Sequence, residues 1–206
     1  MMSATSFAPP KARTHIAESS ETCMPSNRPV NLPPLARSRY DSISRALHWM
    51  TLCLLIAQFG LGWFMPEVDG VKQPSGLIAW HVGVGTTLLI VVAARLLWAI
   101  IRPTPTPVEQ ASALRALAKA VHIALYSLLL VVPLLGWMNA SARNWLVKLG
   151  GILPLPQIAT PDTLSASIGE LHSASATILL ILIGMHVLAV VIHEVAFRDR
   201  LLRRML

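Results

Sequence analysis

Four long apolar blocks dominate this sequence and leave little freedom in what it can fold into. Each is close to the ~20 residues that cross a hydrocarbon layer as a helix. A soluble core would show shorter apolar runs with amphipathic alternation. The charge content agrees. Asp, Glu, Lys and Arg make up 13% of the 206 residues, about half the share usual in a soluble domain. The expected fold is therefore all-α, a transmembrane four-helix bundle.

The first span is expected from about Ser44 to Met65, ending at Pro66, and the second from about Leu77 to Ile101, ending at Arg102-Pro103. The Pro-Thr run 103–107 reads as a stiff, extended linker. Ala111 to Lys119 reads as a short interfacial start to the third helix, whose membrane span runs from about Ala120 to Met138, with Pro133 inside it. An intramembrane proline is tolerated where neighbouring helices re-satisfy the backbone. A loop from Asn139 to Ser167 leads to the fourth span, Leu171 to Phe197. Residues 1–38 are polar and rich in Pro, Ser and Thr, the composition of a disordered tail. The tail lacks the apolar stretch of a secretory signal and is expected to be retained. It contains His15, which reads as a solvated residue. The domain organisation expected is thus a tail, 1–38, and one membrane domain, 39–206.

The formal net charge is +7, but its placement argues against nucleic acid. Arg28, Arg37, Arg39 and Arg45 precede the first span. Arg95, Arg102, Arg115 and Lys119 flank the second connection, and Arg198, Arg200, Arg203 and Arg204 follow the fourth span. The opposite side has Lys72, Arg143 and Lys148. Cations mark the cytoplasmic side of a membrane protein, so both termini are expected in the cytoplasm of a bacterial cell, with the protein multi-pass in the inner membrane. The lipid bilayer is the first partner. Cys23 and Cys53 provide neither a disulfide framework nor the C-x-x-C-H of covalent haem attachment.

The chemistry lies with the histidines. His48, His81, His122, His172 and His186 fall within or at the edge of spans. One such residue could be an interhelical hydrogen bond. Several, in a chain with so few other polar groups, point to function, because intramembrane ionisable residues are costly. Odd and even spans run in opposite directions, so His48, His122 and His186 lie on the cytoplasmic side and His81 and His172 on the other. His172 and His186 are separated by about 21 Å along one helix, within roughly 40° of the same face. His172 can therefore meet His81, and His186 can meet His48. Facing neutral imidazoles from different helices are what a six-coordinate haem iron takes. A zinc site would gather four ligands at one point, often with thiolate or carboxylate.

Gly60, Gly62, Gly83, Gly85 and Gly184 could admit a flat macrocycle, or simply let helices pack closely. Arg95 could pair with a haem propionate or snorkel to the surface. Tyr126 and Gln58 are candidate polar neighbours of the ligands. His122 competes with His48 and His186 for two axial positions, and depth alone leaves that competition open. His193, beside Glu194, could contact a quinone head group or a propionate.

The run Arg39-Tyr40-Asp41-Ser42-Ile43-Ser44-Arg45-Ala46-Leu47-His48-Trp49 resembles the opening of the bacterial cytochrome b-561 family. Trp80-His81-Val82-Gly83, Arg95-Leu96-Leu97-Trp98, His122-Ile123-Ala124-Leu125-Tyr126, Leu171-His172, Gly184-Met185-His186-Val187-Leu188-Ala189 and the ending from Phe197 to Leu206 resemble later segments in order. The resemblance covers about residues 38–206. It implies two non-covalent b haems, with His48, His81, His172 and His186 as axial ligands, and electron exchange with the quinone pool, ubiquinone being the expected acceptor. Family patterns often have a carboxylate after the residue at His172, where Ser173 stands here. They often have paired histidines where this chain has His193-Glu194, so a quinone contact falls on His193 alone. Some relatives resemble superoxide oxidases, and a redox partner protein or a second copy could be further partners. Two other readings remain: a membrane-anchor cytochrome of a hydrogenase or formate dehydrogenase, and a haem-free structural or transport protein.

Overall fold

A computed structural model describes residues 39–102, 112–160, 165–198 and 201–206. The polar tail with His15 and Cys23, and the Pro-Thr linker, lie outside the described residues. The helices are α1 (Ser42–Phe64), α2 (Gly76–Ile101), α3 (Ser112–Ala142) and α4 (Ser165–Ile192). A π-helical turn, His193–Phe197, continues α4, and a short 3-10 helix covers Leu201–Arg204. All four long helices have the length and hydropathy to cross a membrane.

Two helices are longer than their apolar blocks. α3 is continuous from Ser112, and the expected interfacial start forms its first turns. The reason is intrinsic propensity: Ala, Leu, Arg and Lys from 113 to 120 are all good helix formers. α4 starts six residues ahead of the expected Leu171, through small and polar residues that a hydropathy reading passes over.

α1 packs on α2, α2 on α3 and α3 on α4, and no comparably extensive α1–α4 contact is made among the described residues. The central core is a layer of Leu55, Leu88, Val92, Leu125, Leu129, Val132 and Leu179. The outside is equally apolar: Ile56, Ile90, Leu97, Ile181, Met185 and Leu188 are exposed. In water this surface would be an unpartnered patch. In hydrocarbon it is the natural exterior, with each helix satisfying its own backbone.

The face that carries the start of α1 and the end of α4 is called here the tail face. Asp41 caps α1, accepting from the Ser44 amide at 3.3 Å and the Ser44 hydroxyl at 2.6 Å. Its Oδ2 also accepts from the Trp98 indole at 2.9 Å, tying the start of α1 to the end of α2. The C-terminal residues fold back onto α1. The Trp49 indole donates to the Met205 carbonyl at 2.9 Å, and the Arg45 guanidinium donates to Leu206.

On the opposite loop face, the α1–α2 and α3–α4 connections lock together. Arg143 pairs with Asp69 at 3.3 Å and donates to the Val68 carbonyl at 3.2 Å. The Trp145 indole donates to the Val71 carbonyl at 3.0 Å, and Gln73 bonds both Asn144 and Leu146. Ile78, Ala140, Trp145 and Val147 form a second apolar core beneath these contacts. Within the expected 139–167 loop, β1 (Lys148–Leu149) and β2 (Leu153–Pro154) pair antiparallel. Gly150, Gly151 and Ile152 make a three-residue turn, with the glycines at φ of 56° and 79°, positive values that glycine adopts without steric cost.

Candidate functional site

The intramembrane histidines fall into two groups. Near the loop face, His81 on α2 and His172 on α4 face each other across the bundle. Their ring centroids lie 6.2 Å apart, with the planes at 85°. Two metal–imidazole bonds of about 2.0–2.1 Å each, with the two ring radii, come close to that separation.

The protons of both rings follow from their partners. His172 Nδ1 lies 2.9 Å from the Val132 carbonyl oxygen. A carbonyl only accepts, so Nδ1 carries the proton and Nε2 keeps a free lone pair. Gln58 Nε2 lies 3.0 Å from His81 Nε2. An amide nitrogen only donates, so His81 Nε2 also presents a lone pair, and a neutral ring has its proton on Nδ1. That Nδ1 is buried and has no hydrogen-bond partner among the described residues.

Glycines make this approach feasible. A Cβ on Gly136 of α3 would stand 3.0 Å from His172 Cε1, and one on Gly62 of α1 would stand 3.4 Å from His81 Cε1. Each ring therefore leans against a bare stretch of a neighbouring helix. Gly85 likewise leaves room for Gln58, which a Cβ would meet at 3.0 Å. Gly83 turns to the hairpin instead, and nothing lies within 4 Å of the Cβ position at Gly60 or Gly184.

Cavities flank the imidazole pair. One of about 260 Å³ is bounded by Leu55, Phe59, Leu129 and Leu179 as well as His81 and His172. The other, about 550 Å³, reaches toward Asn139, Arg143 and Glu170 and shares both imidazoles. The donor set and the space fit a planar group held edge-on between the helices. Among the described residues, no set of three or more His, Cys, Asp or Glu side chains is placed to hold a bare metal ion.

Toward the tail face the arrangement differs. His122 on α3 and His186 on α4 have ring centroids 5.5 Å apart at 78°. His122 Nδ1 is 2.7 Å from the Ala118 carbonyl, so it donates and leaves Nε2 free. His48 Nδ1 accepts from Arg95 at 2.8 Å, and the Arg95 guanidinium also lies 5.3 Å from the centre of the Tyr126 ring. His48 with Arg95, and His122 with His186, form the tail-face group. The structure thus brings together His81 with His172 and His122 with His186, and sets His48 against Arg95. His193 opens the π-helical turn after α4. Gln58 contacts His81 directly, whereas Tyr126 lies against Arg95, the partner of His48. Gly136 and Asn139 went unnoticed in the sequence, since nothing local distinguishes a helical glycine that faces an imidazole from one that faces lipid.

These features define a class: a four-helix membrane protein with opposed imidazoles in its apolar interior. The sequence model of the family described as prokaryotic cytochrome b561 matches residues 39–206, and the chain belongs to that family. It is similar to "Cytochrome b561 homolog 2" of Escherichia coli (strain K12), at 30% identity over 173 residues, 82% of this chain and 91% of that one. It is similar to "Probable superoxide oxidase CybB" of Yersinia pestis at 27% identity, over 82% of this chain and 96% of that one. It is also 28% identical to "Cytochrome b561 homolog 1" of Escherichia coli (strain K12), over 82% and 97%. Membership makes the protein a multi-pass bacterial membrane protein of haem b electron transfer.

Proposed function

We propose that the protein is a di-haem cytochrome that carries electrons across the bacterial inner membrane and exchanges them with the quinone pool. The observation that carries this reading is the opposed His81–His172 pair, 6.2 Å apart, with a second imidazole group nearer the other surface. The haems, when bound, supply the one-electron chemistry. His81 and His172 hold one iron. The Val132 carbonyl fixes the His172 tautomer and raises the basicity of Nε2, as outer partners of ligating histidines do. Gln58, 3.0 Å from His81 Nε2, would have to yield that lone pair for His81 to serve as a ligand. Leu55, Leu129 and Leu179 keep water from the space between the two levels.

We assign the second iron to His48 and His186, the residues that the family motifs carry. Arg95 holds His48 from the Nδ1 side and leaves Nε2 for the metal. His122 is the competitor, because its Nε2 is free and its ring adjoins His186. His193, on the tail face, is assigned to a quinone head group, with ubiquinone the expected acceptor. Both termini are assigned to the cytoplasm, as the distribution of Arg and Lys favours.

The Yersinia relative, named as a probable superoxide oxidase, brings superoxide forward as the donor at the loop face. Lys72 and Lys148 would attract an anion there, whereas Arg143 is already paired with Asp69.

The test is haem stoichiometry followed by turnover. A reduced-minus-oxidised b-type spectrum with two haems per chain is expected. One haem, or a folded colourless protein, overturns the reading. Proteoliposomes containing ubiquinone, supplied with superoxide from outside, should then form quinol. Reduced haem with no quinol formed refutes the quinone assignment. Reduction only through a co-purifying peripheral subunit favours the anchor role.

A further inference from the structure

The β1–β2 hairpin reaches unusually far along α2. Trp145, only 4% exposed, lies in the loop-face core beside Ile78. From there the chain descends. The Lys148 carbonyl lies 3.3 Å from the Thr86 hydroxyl. A Cβ on Gly83 would stand 3.4 Å from the Gly151 amide nitrogen, and the Cβ position of Gly150 is 3.7 Å from the Thr87 hydroxyl. Thr87 is eleven residues into α2, about 16 Å from its start. Its neighbour Leu88 packs in the same central layer as Leu55, near the middle of α1. The turn therefore stands at the depth of the bundle's central core, far below the loop-face surface.

Gly83 follows His81 by two positions, about 200° around the helix. The hairpin thus packs on the side of α2 that carries Gly83, turned away from the His81 imidazole. Its other side carries Leu146, Ile152 and Leu153, all exposed, with Ile152 at 86%. This apolar side continues the lipid-facing surface of α2, where Ile90 is half exposed.

The backbone suits such a setting. Non-helical chain at membrane depth must bury or pair its polar groups. The Ile152 amide donates to the Leu149 carbonyl at 3.0 Å, the Gly151 amide to the Lys148 carbonyl at 3.3 Å and the Leu155 amide to the Val147 carbonyl at 2.9 Å. Pro154 and Pro156 have no N–H to strand. The Lys148 side chain can extend its ammonium toward the head groups.

We propose that Lys148–Pro154 is a re-entrant membrane hairpin whose tip, Ile152 and Leu153, is covered by the acyl chains of the leaflet on the loop face. This rests on the four helices spanning the bilayer, and a label on α2 checks that separately. A nitroxide would be placed at position 152 (Ile152→Cys), 90 (Ile90→Cys) or 157 (Gln157→Cys) of the full chain with Cys23 and Cys53 changed to Ser. The haem-loaded protein would sit in phosphatidylcholine–phosphatidylglycerol vesicles, with collision rates measured for oxygen and for a water-soluble nickel chelate. Positions 90 and 152 should both favour oxygen, with nickel access at 152 several-fold below that at 157. Nickel access at 152 equal to that at 157, while 90 still reads lipid, overturns the hairpin proposal. Water-like access at 90 instead refutes the membrane reading. Spin–spin broadening at 152 that disappears on dilution with unlabelled protein identifies a second copy as the occupant, and also overturns it.

Discussion

The two histidine groups use the same side chain in opposite surroundings. Near the loop face, two imidazoles from α2 and α4 meet in an apolar space, each resting on a glycine of a third helix. Near the tail face, three imidazoles share their level with a guanidinium and a phenol. The first arrangement has one way to be paired and the second has several. A bundle fixes a cofactor position most sharply where it offers no spare ligand, and it gains polar adjustability where it offers one.

The largest effect expected tests the simpler site. His172→Ala should remove one of two haems, because no other imidazole among the described residues adjoins His81. Pyridine haemochrome analysis checks this, and two retained haems would erase the contrast between the groups. Next comes the crowded site. His48→Ala should lose the other haem, while His122→Ala should keep both and shift only the spectrum of the tail-face haem. The reverse result would move the ligand from α1 to α3. A smaller effect sharpens the glycine argument. Gly136→Ala inserts a methyl where His172 Cε1 would be 3.0 Å away. It should cost about 1–3 kcal/mol, as overpacking does. Thermal melts followed at each haem's absorption should show the loss at the loop-face haem.

The smallest effect lies outside both groups. The Ser44 hydroxyl holds the Asp41 carboxyl down at about 2 against the opposing effect of burial, helped by the Trp98 indole and the Ser44 amide. The unfolded chain takes up this proton first. The Asp41 contribution is therefore complete above its ordinary value of 3.8 and is lost as pH falls toward about 2. Asp41→Ala should cost about 1 kcal/mol at neutral pH, the usual loss of a helix cap. It should also flatten the pH dependence of the melting temperature between pH 4 and 2, with both haems retained.

The spans could be read because hydropathy is a property of composition along the chain. The ends of α1 and α2 could be read to within two residues, and the start of α3 followed from its helix-forming residues; the start of α4 could not, since Ser165–Glu170 is helical without being apolar. The level of each histidine was legible from helix direction and rise. Its angle around the bundle was not, because that depends on which helices are neighbours. This is why His48, His122 and His186 could be set at one level but not sorted among themselves. The hairpin left a local signal, Gly150-Gly151 between apolar residues, which is a recognised turn pattern. It is easily passed over inside a segment already read as loop.

The lock between the loop-face connections has a consequence for alignment. A helix in a bilayer can slide along its axis at little cost, since one apolar residue replaces another against lipid. A slip of one residue is a step of about 1.5 Å, enough to carry one imidazole past its opposite number. Trp145 on Val71 and Arg143 on Asp69 act as a common zero mark between the start of α2 and the end of α3, and α3 passes that height to His172 through Val132 and Gly136.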